Sequence, residues 1–419
     1  MITTLGEARF PSPLDYSVSD QVQIPASIKI TPGERHDANL MFEMAGPRSR
    51  LYFDPRVTKA AIVTCGGLCP GMNNVIRSLF LELYFIYGVK EIIGFRYGYM
   101  GLDPANGIEP VVLSNSRVDN IHSEGGTILG TSRGPVNIQA AVDNLINLEV
   151  NILFTIGGDG TQKGGYDLFM EAQKRKYPLS VVGIPKTIDN DVSFVSRTFG
   201  YLTAVEESCR VIGTAHVEAK SVQYGISLVK LMGRNAGFIA IGATVASQDV
   251  NFVLIPEVPV VLEGEKGFLQ ALKSRVIDRK HAVIVIAEGA GQDLLASGEV
   301  RYDASGNKIL KDIGIFLREQ IDKYFKAENI PVIIRYFDPS YSIRSCPADA
   351  EDSILCDLYA RNAVHAAMAG KTGLVIGYIH DTFIHVPIDL LTKKSKRVDL
   401  NGWEWRAAIA ATGQPQVFG

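Results

Sequence analysis

The chain has 419 residues, 46% of them hydrophobic and 21% charged, and a formal net charge of −3. The length exceeds what one core usually fills, so two domains are expected. The small net charge gives no global attraction to nucleic acid or to a membrane surface, and no apolar run approaches a membrane span. Five cysteines, an odd number, fit a reduced cytoplasmic chain better than a disulfide framework. The first residues lack the basic and apolar regions of a signal peptide.

Residues 1–54 read as an extension with scattered prolines (Pro11, Pro13, Pro25, Pro32, Pro47) and no sustained period. A first strand is expected at 60–64. Gly66-Gly67-Leu68-Cys69-Pro70-Gly71 then turns into a helix over 72–87, with Val75, Ile76, Leu79, Phe80 and Leu83 on one stripe. The turn does not read G-x-G-x-x-G, and no Walker sequence occurs. A strand at 91–95 follows. The stretch from Gly125 to Gly134 is either a polar surface loop or a phosphate-binding loop in which Arg133 supplies a planar fork of donors.

Strand 150–156 runs into Gly157-Gly158-Asp159-Gly160-Thr161, and strand 179–184 into Pro185-Lys186-Thr187-Ile188-Asp189-Asn190-Asp191. Further strands are expected at 222–229, 252–255, 282–287, 332–337 and 373–378. Helices are expected at 201–217, 267–279, 313–325 and 350–369, and a hairpin at 300–307. Strands alternating with helices predict an α/β protein built from doubly wound parallel sheets.

Ligands of such sheets bind outside the carboxyl ends of the strands. Glycines there let backbone N–H groups approach phosphate. Asp159 is either a helix N-cap or a Mg²⁺ ligand. Thr187, Asp189 and Asp191 occupy alternate positions, so an extended loop would turn all three to one side, with one aspartate as base toward a hydroxyl. Lys186 adds a cation there. Met232-Gly233-Arg234 after a strand, Glu288 at a strand end, and Arg335, Tyr341 and Arg344 are candidates for holding an anion, although each alone reads equally well as ordinary surface. No His/Cys set has convincing metal-ligand spacing.

Taken together, the ordered motifs between residues 60 and 345 resemble the 6-phosphofructokinase family: Gly66-Gly67 with Pro70–Asn73, the Gly125–Arg133 loop, Gly157–Thr161, Pro185–Asp191, Met232–Arg234, Glu288-Gly289-Ala290 and Tyr341–Arg344. The resemblance implies two Rossmann-like domains with parallel sheets flanked by helices and the active site in the cleft between them. It implies an extension at 1–54, a phosphoryl-donor domain at 55–200 plus 343–395, and a fructose 6-phosphate domain at 201–342 plus 396–419 that includes a C-terminal tail. The implied reaction is Mg²⁺-assisted phosphoryl transfer to the 1-hydroxyl of fructose 6-phosphate. Asp189 is the implied base, with Thr187, Asp191 and Lys186 at the reacting centre and Asp159 on Mg²⁺. Gly66, Arg133, Gly134, Gly158, Asp159, Gly160 and Thr161 would hold the donor. Thr187, Asp189, Met232, Gly233, Arg234, Glu288, Arg335, Tyr341 and Arg344 would hold the sugar phosphate.

Gly160 and Lys186 bear on the donor. Pyrophosphate users of the family typically carry Asp and Lys at these positions, and typical bacterial ATP users carry Gly at both. The Gly160–Lys186 pair is similar to the plant and trypanosomatid ATP-dependent branch, so ATP is expected; Gly160 leaves open the space that the nucleotide's α-phosphate needs. A pyrophosphate-dependent enzyme is the alternative. A non-catalytic sugar-phosphate-binding protein would be expected to have lost Asp159 or Asp189, and lipid or NAD kinases lack the Thr-Ile-Asp-Asn-Asp and Met-Gly-Arg partners. The resemblance also implies a cytoplasmic, allosteric homo-oligomer, a tetramer or a dimer. Simple bacterial members donate an Arg across a subunit interface where this chain has Gly225, which cannot supply that charge.

Overall fold

The computed structural model describes residues 2–28, 40–295, 302, 308–391 and 395–419. The chain forms two compact units, the first comprising residues 1–188, 192–200 and 345–395, the second residues 189–191, 201–344 and 396–419.

The first unit is built on a nine-stranded sheet. Its centre is parallel: β1 (Lys59–Thr64), β2 (Glu91–Phe95), β3 (Ile152–Gly157), β4 (Ser180–Pro185) and β9 (Leu374–Ile379) lie in the order β9-β4-β3-β1-β2. Every residue of β3 and β4 is buried, as expected for central parallel strands covered on both faces. Beyond β9, β10 (Thr382–Pro387) pairs antiparallel and is followed by Met41–Met44 and Gln23–Pro25. Residues of the amino-terminal stretch thus complete one edge of the sheet.

Helix α1 (Met72–Leu81) buries Val75, Ile76, Leu79 and Phe80 against this sheet's core. The helix expected over 72–87 is α-helical only to Leu81 and widens to a π-helix over Glu82–Tyr87. The wider turn accompanies two polar contacts to α7 (Ala350–Met368): buried Glu82 pairs with half-exposed Arg361 at 2.5 Å, and Tyr87 Oη lies 2.8 Å from His365 Nδ1 in the interior.

A second polar cluster ties the edge strands to the centre. Glu43 meets Arg48 at 2.6 Å, Lys371 at 2.7 Å and His385 Nδ1 at 2.9 Å, while Asp20 also reaches Arg48 and Lys371. Burial alone would raise the Glu43 pKa. Hydrogen bonds and charge from His385 and Lys371 outweigh it and depress the value to about 2. The folded pKa lies below the ordinary carboxyl value of 4.5, so this stabilisation is present above pH 4.5 and is lost as pH falls toward 2. Glu43→Ala leaves Arg48 and Lys371 buried with half their counter-charge, and denaturant unfolding at pH 7 is expected to show a loss of about 3–5 kcal/mol. A loss below about 1 kcal/mol would contradict this account of the cluster.

The second unit carries a four-stranded, wholly parallel sheet in the order β6-β7-β5-β8, from β5 (Gly225–Leu231), β6 (Phe252–Leu254), β7 (His281–Ala287) and β8 (Ile333–Phe337). Helices α3 (Tyr201–Lys220), α4 (Phe238–Ser247), α5 (Phe268–Arg279) and α6 (Ile313–Ala327) cover it, and α8 (Trp403–Thr412) packs on α4. A Cβ at Gly225 would lie 2.1 Å from the Ala219 carbonyl, so this backbone admits no side chain there. The hairpin expected at 300–307 lies outside the described residues, apart from Tyr302, which bridges antiparallel to Lys308.

Candidate active site

In the first unit, three neighbouring strands end in polar loops. Strand β1 leads to Gly66, β3 to Gly157-Gly158 and α2 (Asp159–Lys174), and β4 to Lys186. Gly66 has φ of 86°, a left-handed backbone that glycine adopts without steric cost. The Lys186 ammonium crosses to this turn and donates to the Gly67 carbonyl at 2.7 Å. A Cβ at Gly66 would lie 3.2 Å from Lys186 Nζ, and one at Gly67 would lie 3.4 Å from Arg133 Nη2. Two cations therefore converge on the Gly66-Gly67 turn.

The loop that carries Arg133 is laced to the end of β1. Gly66 N donates to the Ser132 carbonyl at 3.1 Å, Thr131 Oγ1 to the Gly66 carbonyl at 2.6 Å, and Thr64 Oγ1 to the Gly130 carbonyl at 2.7 Å. Gly134 follows with φ of 128°.

Asp159 and Gly160 are exposed in the first turn of α2, and a Cβ at Gly160 would have nothing within 4 Å. Thr161 is buried, its N–H donating to the Gly158 carbonyl at 2.9 Å. Sequence reasoning missed Gln162. Its buried amide donates to the carbonyls of Gly157 at 2.8 Å and Ile184 at 3.2 Å, joining the ends of β3 and β4. Only its place one residue after the Gly-rich run could have hinted at this.

The loop after β4 departs from the expected extended form. The chain turns at Ile188 and Asp189, and Asn190 has φ of 56°. The alternation that would align Thr187, Asp189 and Asp191 is therefore broken, because a side-chain period of two holds only in extended backbone. Thr187 belongs to the first unit, where its carbonyl accepts from Thr198 Oγ1 at 2.7 Å. Asp189 and Asp191 belong to the second.

In the second unit the strand-end loops lock together. Glu288 N donates to the Leu231 carbonyl at 2.9 Å and Gly289 N to the Gly233 carbonyl at 3.0 Å. Met232 is buried, and Arg234 N donates to Asp189 Oδ2 at 3.3 Å. The Asp189 Oδ1 is buried. Burial, then the charges of Asp191 and Glu288, push the Asp189 pKa up to about 7, against the opposing Arg234. A carboxyl so placed exchanges its proton near neutral pH, which suits a general base.

Glu288 is also raised, chiefly by burial, while Arg234, Lys230 and Arg344 oppose. Lys230 bridges Asp312 at 2.7 Å and Asp338 at 2.9 Å. The Arg344 guanidinium lies 4.5 Å from the ring centroid of Tyr341, which is 74% exposed. Arg335 pairs with the Glu218 carboxylate at 2.7 Å and also donates to the Glu218 carbonyl at 3.3 Å.

The family model described as phosphofructokinase matches residues 59–367, and the chain belongs to that family. Among its relatives are proteins named ATP-dependent 6-phosphofructokinase. That of Borreliella burgdorferi is 45% identical over 431 residues, covering 99% of this chain and 96% of the relative. The Arabidopsis thaliana protein 1 of that name is 44% identical over 407 residues, covering 96% and 85%. The Trypanosoma brucei brucei protein is 48% identical over 370 residues, covering 88% and 75%. Among solved structures, a pyrophosphate-dependent phosphofructokinase from Marinobacter aquaeolei superposes with a TM-score of 0.71 at 18% identity, covering 86% of this chain and 93% of the other, a likeness of fold alone.

Proposed function

We propose that this chain transfers the γ-phosphoryl group of ATP to the 1-hydroxyl of fructose 6-phosphate, giving fructose 1,6-bisphosphate and ADP, with Asp189 as the base. The enzyme is an ATP-dependent 6-phosphofructokinase, a glycolytic kinase; the pyrophosphate-dependent alternative is not favoured beside relatives at 44–48% identity that are named for ATP. The observation that carries the role of Asp189 is its buried carboxyl, with a pKa near 7 beside Asp191 and Glu288.

The donor side is read from the first unit. Gly66, Gly158, Gly160, Thr161 and Gly134 offer backbone, and Arg133 and Lys186 offer charge to the donor's phosphates. Asp159 would hold Mg²⁺. One exposed carboxylate at a helix start fits an ion that usually keeps several waters and takes one or two carboxylates plus substrate phosphates. When bound, the ion neutralises charge on the transferring group. On the acceptor side, Met232, Gly233, Arg234, Glu288, Tyr341 and Arg344 would hold and orient the sugar phosphate. Thr187 and Asp191 would position the reacting hydroxyl, and Asp189 takes its proton. Arg335, bound to Glu218, would reach substrate only by leaving that pair.

A cytoplasmic homo-oligomer, tetramer or dimer, is part of this reading; five free cysteines suit a reducing compartment. Among the described residues no helix is long and apolar enough to cross a membrane.

Two experiments test the reading. Chelation of Mg²⁺ is expected to abolish product formation, with recovery on adding the ion back. Turnover that persists in excess chelator would overturn the role given to Asp159. The profile of kcat/KM for fructose 6-phosphate against pH is expected to fall with unit slope below about pH 7, because a base must be deprotonated and the Asp189 pKa is raised to about 7. A profile flat down to pH 5 would remove Asp189 from that role.

A further inference from the structure

The tail that re-enters the second unit at residue 396 meets the base segment directly. Lys396 N donates to the Asp191 carbonyl at 2.7 Å. Two residues later, Val398 N donates to Glu257 Oε1 at 2.9 Å. The same Glu257 carboxylate accepts from Gly237 N at 3.1 Å, at the start of α4. That start lies three residues beyond Arg234, whose own N–H holds Asp189. Residues 396–398, Glu257, the 232–237 loop and the 189–191 segment are thus linked by hydrogen bonds into one circuit.

The Lys396 side chain packs at the start of α4. Its Nζ is 5.0 Å from the centroid of the Phe238 ring, the first residue of α4. Burial pushes its pKa down to about 8, against the carboxylates of Glu404 in α8 and of Asp191. Asp189 is thus faced by Asp191 and Glu288 as anions and Arg234 as a cation, and Lys396 by Glu404 and Asp191 as anions and the Phe238 ring. After burial, Asp191 is the largest influence raising Asp189. A cation compensating Asp191 therefore acts on Asp189 at one remove.

We propose that Lys396 is a positioning residue for the reaction: its backbone N–H fixes the Asp191 carbonyl, and its ammonium, seated over Phe238, compensates the Asp191 carboxylate and so keeps Asp189 ready to accept a proton. This rests on the reading of Asp189 as the base.

Lys396→Met separates the charge from the backbone contact, because the N–H and most of the apolar stem remain. Removing the cation that offsets Asp191 leaves that carboxylate to oppose a charge on Asp189 more strongly, which raises the Asp189 pKa. In Lys396→Met the acid limb of kcat is expected to move to higher pH by about half to one unit. Turnover at pH 6.5 then falls by roughly three- to tenfold, and KM for fructose 6-phosphate changes by less than about twofold. Lys396→Arg keeps the charge and is expected to restore the wild-type limb.

An unmoved limb in Lys396→Met, or a Lys396→Arg variant that behaves like Lys396→Met, would overturn the proposal. Thermal unfolding of both variants, run alongside, identifies a variant that has lost its fold; Lys396→Gln then replaces Lys396→Met with the same expectation. Asp189→Asn in the same series separates the two readings. A limb that survives in Asp189→Asn refutes the base assignment. A limb that vanishes there but stays in place in Lys396→Met refutes only the role of Lys396.

Discussion

Asp189→Asn is expected to lower kcat by about 10²–10⁴-fold, the range that one general base contributes, while KM for fructose 6-phosphate stays within a few-fold. Asparagine keeps the shape of the side chain and an oxygen that can accept from Arg234 N, so the strand-end loops stay closed. What is lost is the proton acceptor. The same substitution makes a second, independent prediction. The folded pKa of Asp189 is raised from 3.8 to about 7, so the wild type loses stability as pH rises through 7 and a buried charge forms beside Asp191 and Glu288. Asparagine carries no such charge, and Asp189→Asn should be at least as stable as the wild type at pH 8. A slow enzyme that is no less stable marks a residue kept for chemistry at the expense of stability. Turnover within threefold of wild type would remove Asp189 from the mechanism.

The second large effect concerns the donor. Gly160→Asp places a carboxylate in the first turn of α2, where a new Cβ meets nothing within 4 Å. An acidic residue there is favoured by the helix dipole, so stability is expected to hold or rise by about 0.3–1 kcal/mol. On the proposed reading the cost falls on ATP, because the new side chain would occupy space assigned there to the α-phosphate. Two like charges at 4 Å repel by up to about 4 kcal/mol near a protein surface. The expected loss in kcat/KM for ATP is therefore about 10²–10³-fold, with fructose 6-phosphate binding unaffected. An ATP dependence equal to that of wild type would show that residue 160 does not face the donor.

How far the sequence foretold these features follows from the range of each interaction. The strands at 91–95 and 333–337 and the helix starting at 313 were legible because apolar periodicity and flanking turns are local. The turns at the strand ends were legible because glycine and aspartate runs mark where strands stop, and Gly66, Gly158 and Lys186 do follow strands. The break in alternation after Thr187 was not, since nothing in Thr-Ile-Asp-Asn-Asp announces that Asn190 takes a left-handed backbone. The π-helical turn at Glu82–Tyr87 is met by Arg361 and His365, 279 and 278 residues away in the chain. Gln162, Glu257 and Lys396 were invisible for the same reason: each joins segments that only the tertiary fold brings together. The pairing of Arg335 with Glu218 was equally hidden, since it joins residues 117 apart in the chain.

The most direct test of the central claim is the initial rate of fructose 1,6-bisphosphate formation by the purified chain with Mg²⁺ and fructose 6-phosphate, supplied with ATP or with pyrophosphate. Turnover with ATP, and none above background with pyrophosphate, is the predicted result. Turnover with pyrophosphate alone would contradict it and would mean that Lys186 outweighs Gly160 in choosing the donor.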